Sequence, residues 1–207
     1  MSQFFSIHPE NPQPRLIKQA VDILRDGGVI AYPTDSAYAL GCCLENKTAI
    51  DRIRRIRQVG EDHRFTLVCR DLSELSNFAK VDNVAYRLIK NNTPGPLTFI
   101  LSATREVPRR LMHPKRRTIG LRVLANPIAQ ALLAELGEAM ISTSLILPGD
   151  DAPQSDPEDI RDRLQRDLDL VIDGGFCGLE ESSIVSLLDE VPEVLREGAG
   201  DVSPFRQ

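Results

Sequence analysis

The 207-residue chain has no apolar run approaching the roughly 20 residues that cross a bilayer. Its first residues, Met1-Ser2-Gln3-Phe4-Phe5, lack the basic and long apolar parts of a secretory signal. These two absences predict a cytoplasmic protein with no membrane partner. Cysteine is scarce: Cys42, Cys43, Cys69 and Cys177 form no C-x-x-C pair, and two are adjacent. That spacing favours buried free thiols over disulfides or a zinc site. His8, His63 and His113 match no metal motif, so no metal held by side chains is expected. Neither G-x-x-x-x-G-K-[ST] nor G-x-G-x-x-G occurs, so any nucleotide site must be built without those loops. No Ser/His/Asp or Cys/His set stands out, and there is no internal repeat or low-complexity linker.

What is present suits one globular domain. Hydrophobic residues are 42% and charged residues 27%, which is enough apolar material for a substantial core. The net charge of -5 argues against a uniformly basic nucleic-acid binder. The charge is nevertheless segregated. Arg52, Arg54, Arg55, Arg57 and Arg64 form one basic cluster; Arg105, Arg109, Arg110, Lys115, Arg116 and Arg117 form a second. The acidic counterweight comes later, at Asp150, Asp151, Asp156, Glu158, Asp159 and Asp162. Such a dipolar chain can hold an anion on one face, although isolated surface cations are usually only solvated charge.

The pattern centres on residues 29–41. Val29-Ile30-Ala31-Tyr32 reads as a buried strand that Pro33 ends, since proline has no N–H for a ladder. Thr34, Asp35 and Ser36 follow, then a small apolar run from Ala37 to Cys43. These are ordinary turn residues, but a polar loop between two buried segments is also where folds present chemistry. Before it, Asn11-Pro12 reads as the start of an amphipathic helix closed by Gly27-Gly28. After it, Ala49, Ile50, Ile53 and Ile56 mark a second helix. Arg57 falls inside that apolar arc, so the helix should end there with the arginine lining a site, because an unpaired buried ion is costly. Further on, strands are expected at 65–69, 97–101, 118–123, 140–144, 170–172 and 183–188, with a last one at Val194-Leu195. Helices are expected after Asp71, Asp82, Asn126 and Asp156. Irregular alternation of this kind predicts a single α/β domain, residues 1–207 with a core of about 13–200, on a twisted mixed sheet with flanking helices.

Hydroxyls cluster at predicted strand ends: Ser36, Thr98, Thr118, Ser142, Thr143, Ser144 and Ser182. Arg55, Arg57, Arg122 and Arg196 accompany them. Hydroxyls donate and accept, and arginine grips carboxylate or phosphate with two prongs. The lining suits a ligand carrying a carboxylate and phosphates.

Tyr32-Pro33-Thr34-Asp35-Ser36-Ala37-Tyr38-Ala39-Leu40-Gly41 resembles the Tyr-Pro-Thr-Asp/Glu-Thr-x-Tyr-Gly-Leu-Gly signature of the YrdC-like superfamily. The likeness continues through Pro94-Gly95-Pro96-Leu97-Thr98, Gly120-Leu121-Arg122-Val123, Ser142-Thr143-Ser144, Asp173-Gly174-Gly175 and Leu195-Arg196-Glu197-Gly198. It is nearest to the YciO branch. The resemblance implies a YrdC-like fold with a concave basic face and a relation to threonylcarbamoyl-AMP synthases, which begin threonylcarbamoyladenosine modification of tRNA. It implies ATP with Mg²⁺, L-threonine and bicarbonate as small-molecule ligands. Thr34, Ser36, Arg122, Ser142 and Ser182 match threonine-site positions. Arg57, Thr118, Ser144 and Arg196 match nucleotide-site positions, with Arg55 and Arg57 as catalytic candidates. Two departures bear on activity: Arg55-Ile56-Arg57 replaces Lys-x-Arg, and Ser144-Leu145-Ile146 replaces Ser-x-Asn. Ile146 removes a donor and an acceptor together. Three readings follow: a synthase-like enzyme, a non-catalytic protein binding tRNA or double-stranded RNA, or a regulatory small-molecule binder. The RNA reading assigns Arg52, Arg54, Arg109, Arg110, Lys115, Arg116 and Arg117 to phosphate contacts. A monomer or weak dimer is expected.

Overall fold

The structure is a computed structural model and describes residues 1–206. An edge strand not marked by the sequence pattern, β1 (Gln3–Ser6), opens the chain. Helix α1 (Pro14–Arg25) begins at Pro14 rather than at Pro12. His8 explains the delay: its Nδ1 accepts from the N–H groups of Glu10 and Asn11, which holds Asn11 in a turn. Pro14 then takes a first-turn position where its missing N–H costs nothing. Strands β2 (Ile30–Tyr32) and β3 (Ala39–Cys43) flank the polar loop. Helix α2 (Lys47–Arg57) stops at Arg57, followed by Gln58 in the left-handed region at φ 52°.

Next come β4 (Thr66–Cys69), α3 (Leu72–Phe78), α4 (Asn83–Asn91) and β5 (Leu97–Ser102). The basic connection leads to β6 (Thr118–Val123), α5 (Pro127–Leu136), β7 (Met140–Ser144) and α6 (Pro157–Leu164). The chain closes with β8 (Leu170–Asp173), β9 (Ser183–Ser186) and β10 (Glu193–Arg196). Asp71, Asp82, Asn126 and Asp156 each accept from a first-turn N–H of the helix they precede, satisfying donors that the helix leaves open.

The strands form one ten-stranded mixed sheet in the order β1-β8-β2-β3-β7-β4-β6-β5-β9-β10. Pairs β1–β8, β8–β2, β4–β6 and β5–β9 are parallel, and the rest are antiparallel. One face buries Leu40, Leu67, Phe99, Leu121 and Ile141 beneath residues of α2, α3, α4 and α6. The other buries Ile30, Tyr32, Val68, Met140 and Ile172 against α1 and α5, which pack on each other. Strand alternation places Leu121 and Arg122 on opposite faces. On the second face Thr66, Thr98 and Arg122 take over from the apolar residues, and a cleft of about 270 Å³ opens there. Two glycines shape this region. A Cβ on Gly41 would come within 2.9 Å of the Tyr32 ring, and one on Gly120 within 3.2 Å of Thr98 and 3.5 Å of Thr66 Oγ1. The four cysteines are free thiols. Among the described residues no helix is long and apolar enough to cross a membrane.

Candidate functional site

The loop between β2 and β3 is folded by its own hydroxyls. Thr34 Oγ1 donates to the Ala37 carbonyl at 2.5 Å and accepts from the Ser36 N–H at 3.1 Å. This turns Ser36 Oγ toward Arg122 Nη2, which donates to it at 2.9 Å. Asp35 pairs with the same Nη2, while its other oxygen accepts from the Ala125 N–H at 2.7 Å. Asp35 therefore ties the β2–β3 loop to the end of β6 and fixes the guanidinium. Both side chains are only 9% exposed, and a buried charge of this kind must be paired. Arg122 Nε is buried and has no partner among the described residues. An unsatisfied buried donor on a cation is costly, and Arg54 Nε is buried and unpartnered in the same way.

The cleft floor is built from neutral hydroxyls. Tyr32 and Ser142 share a hydrogen bond of 2.6 Å. Burial pushes the Tyr32 hydroxyl up to about 12, so it stays a neutral hydrogen-bonding group. Thr98 and Ser182 share another bond at 2.8 Å. Arg196 leans on this pair, with Nε donating to the Ser182 carbonyl at 2.9 Å and Nη1 lying 3.0 Å from Glu181 Oε2.

Arg57 enters from the end of α2. Its Nη1 donates to Thr143 Oγ1 at 2.6 Å, and its Nε donates to the Ile146 carbonyl at 3.3 Å. His63 Nε2 lies 2.9 Å from the same Thr143 oxygen. Because Arg57 already donates to that oxygen, the hydroxyl proton is free to point at His63, which then accepts through Nε2. Burial, Arg57 and Arg54 push the His63 imidazole down to about 4, which agrees with a neutral acceptor. Burial, and then the like charge of Arg196, lower Arg57, while Glu181 opposes the shift.

Thr34, Ser36, Arg122, Ser142 and Ser182 line this one cleft together with Arg57, Ser144 and Arg196. Thr118 is buried at the head of β6 and is not part of the lining. Arg55 lies elsewhere. Two residues at 100° each carry it to the far side of α2, where it borders a groove with Arg52, Arg166 and Asp167. The arginines expected to contact RNA are unequal. Arg52 bonds Asp169 at 2.8 Å and the Asp167 carbonyl at 2.7 Å. Arg54 is turned inward, with its guanidinium 5.2 Å from the Phe65 ring centroid and 3.2 Å from Asp51. Arg110 donates to the Leu44 carbonyl at 3.1 Å. Arg109, Lys115, Arg116 and Arg117 are exposed and have no ion-pair partner among the described residues.

Three contributors were not singled out from sequence. Asp35 lies inside the central stretch, and its isolation among hydroxyls was the available signal. His63 and Glu181 carry no local signal, because only the fold brings them beside Arg57 and Arg196.

The sequence model of the Sua5/YciO/YrdC family, described as "Telomere recombination", matches residues 22–198. The chain is 63% identical to YciO, an uncharacterized protein of Escherichia coli K12, over 99% of this chain and 100% of that one. It is 31% identical to a threonylcarbamoyl-AMP synthase of Halorhodospira halophila, over 83% of this chain and 90% of the other. Among solved structures, crystalline E. coli YciO superposes with a TM-score of 0.96 at 63% identity, covering all of both chains. The Sua5 protein of P. abyssi complexed with L-threonine superposes with a TM-score of 0.87 at 25% identity. That match takes in 95% of this chain and 58% of the Sua5 chain.

Proposed function

The chain belongs to the Sua5/YciO/YrdC family, and from that premise we propose that its cleft binds an adenine nucleotide together with L-threonine or threonylcarbamoyl-AMP. One observation carries the reading: the Arg122 guanidinium, fixed by Asp35 and Ser36, lines one cleft with Arg57, Arg196 and a set of neutral hydroxyls, a lining suited to anions. An amino-acid carboxylate beside Thr34 and Ser36 would complete it. Arg57 and Arg196 would receive the phosphates, with Ser142, Ser144 and Ser182 fixing orientation. The L-threonine bound by P. abyssi Sua5 supports the choice of amino acid.

In the proposed reaction the threonine nitrogen adds to bicarbonate and water is lost. A carbamate oxygen then attacks the α-phosphorus of ATP, and the bond to the departing pyrophosphate breaks. The chain's part is to hold the two substrates in line and to neutralise developing phosphate charge. No group of three or more metal-ligating side chains occurs among the described residues. Mg²⁺ would accordingly enter on the nucleotide phosphates.

Ile146 sets the expected rate. Its carbonyl holds Arg57, but its side chain offers no amide where the synthases carry asparagine. One missing polar contact to a developing charge lowers turnover by on the order of a hundredfold. Purified protein given ATP, threonine and bicarbonate should release little pyrophosphate and form little threonylcarbamoyl-AMP, and Ile146→Asn should raise both. Wild-type turnover equal to that of an authentic synthase assayed alongside would contradict this assignment of Ile146.

A second reading, binding of tRNA or double-stranded RNA without adenylation, is favoured by Arg109, Lys115, Arg116 and Arg117, which are exposed and have no ion-pair partner among the described residues.

A further inference from the structure

The positive charge of the cleft is partly offset by the chain's own carboxylates. Arg57, Arg64, Arg122 and Arg196 border it. Arg122 is already held by Asp35, and Arg196 by Glu181 at 3.0 Å. Two carboxylates against four arginines leave two positive charges in excess. Neutral hydroxyls supply the remaining polar lining, and His63 adds no charge near neutral pH.

Glu181 differs from Asp35 in kind. Asp35 is buried and also bonds the Ala125 N–H, so it is part of the frame. Glu181 retains 29% of its side-chain exposure and borders the cleft itself. It acts on Arg57 and His63 as well as on Arg196. A carboxylate placed among the cations of an anion site opposes every further negative charge that enters. Free nucleoside triphosphate carries about four negative charges at pH 7 and a monophosphate about two, counted from phosphate ionisation.

We propose that Glu181 limits the negative charge the cleft accepts, so that phosphate ligands enter as a nucleoside monophosphate or its ester, or as a triphosphate already neutralised by a divalent cation. The inference deepens the nucleotide reading above and rests on it. It makes Glu181 a specificity-determining residue, and it makes the cation requirement a property of this chain's own carboxylate.

The test is a calorimetric titration of wild type and Glu181→Gln with AMP and with ATP, each in excess Mg²⁺ and in EDTA. Wild type should bind AMP with or without Mg²⁺ and should bind ATP well only with Mg²⁺. Glu181→Gln should bind ATP in EDTA roughly tenfold more tightly, and its affinity for AMP should change by no more than about threefold, since the removed repulsion grows with ligand charge. Both differences should shrink at high salt. Matched melting curves confirm that the variant is folded. Equal affinity of the two proteins for ATP in EDTA overturns the role of Glu181 and leaves the nucleotide reading standing. No heat from any nucleotide at millimolar concentration, with either protein, overturns the nucleotide reading and this inference with it.

Discussion

Arg57 and His63 share one oxygen, Thr143 Oγ1, and the sharing fixes the state of each. The imidazole is pushed down to about 4 from an ordinary 6.5, mainly by burial and then by Arg57 and Arg54. In the unfolded chain His63 regains its ordinary value. Between pH 6.5 and 4 the unfolded state therefore binds a proton that the folded state refuses, and stability falls as the pH falls through that window. Partial exposure of the ring limits the effect to on the order of 1 kcal/mol. Urea unfolding at pH 7 and pH 4.5 should show wild type losing more stability across that interval than His63→Gln, even if the variant starts lower for want of the Thr143 bond. Parallel losses in the two proteins would show that His63 protonates freely in the folded state.

At the level of elements, the helices and most strands were legible because hydrophobic period and capping residues agree. Asn126-Pro127 before α5 and its end at Gly137 stand where the sequence suggests. β1 was not legible, since two half-buried phenylalanines between two exposed residues carry little pattern and owe their strand state to pairing with β8. The start of α1 was displaced by the imidazole of His8, a contact that propensity does not encode. Arg57 could be placed by the apolar arc of α2, whereas Arg55, in the same tripeptide, follows the helix to the other side. The β5–β6 connection is basic in sequence, and there Arg116 and Arg117 are exposed and unpaired among the described residues. If it contacts RNA, binding should be weak, salt-sensitive and indifferent to base sequence, because A-form duplexes offer mainly phosphates and 2′-hydroxyls. Replacing both arginines by alanine should lower the slope of log affinity against log salt by about two. An unchanged slope, or no retention of RNA on filters at low salt, would make the connection ordinary surface charge.

For the whole molecule, the governing feature is a sheet whose second face is covered by α1 and α5 over one part and left open over another. That incomplete cover makes the cleft. It also explains how a chain of net charge -5 presents four arginines to one small volume. The fold class was readable from the alternation of elements and the family from the residues around Tyr32. The juxtaposition of Glu181, Arg196 and Arg57 was not, because residues 57, 181 and 196 meet only through the sheet. The central claim is that this cleft holds an amino acid at Arg122 and nucleotide phosphates at Arg57 and Arg196. Calorimetry with L-threonine and Mg-ATP on wild type, Arg57→Ala and Arg122→Ala tests it most directly. Both ligands should bind wild type, Arg57→Ala should weaken the nucleotide by about tenfold or more while threonine stays within about twofold, and Arg122→Ala should do the reverse, in line with the loss of a charge-assisted contact. Absence of heat at millimolar ligand, or unchanged nucleotide affinity in Arg57→Ala, would contradict it.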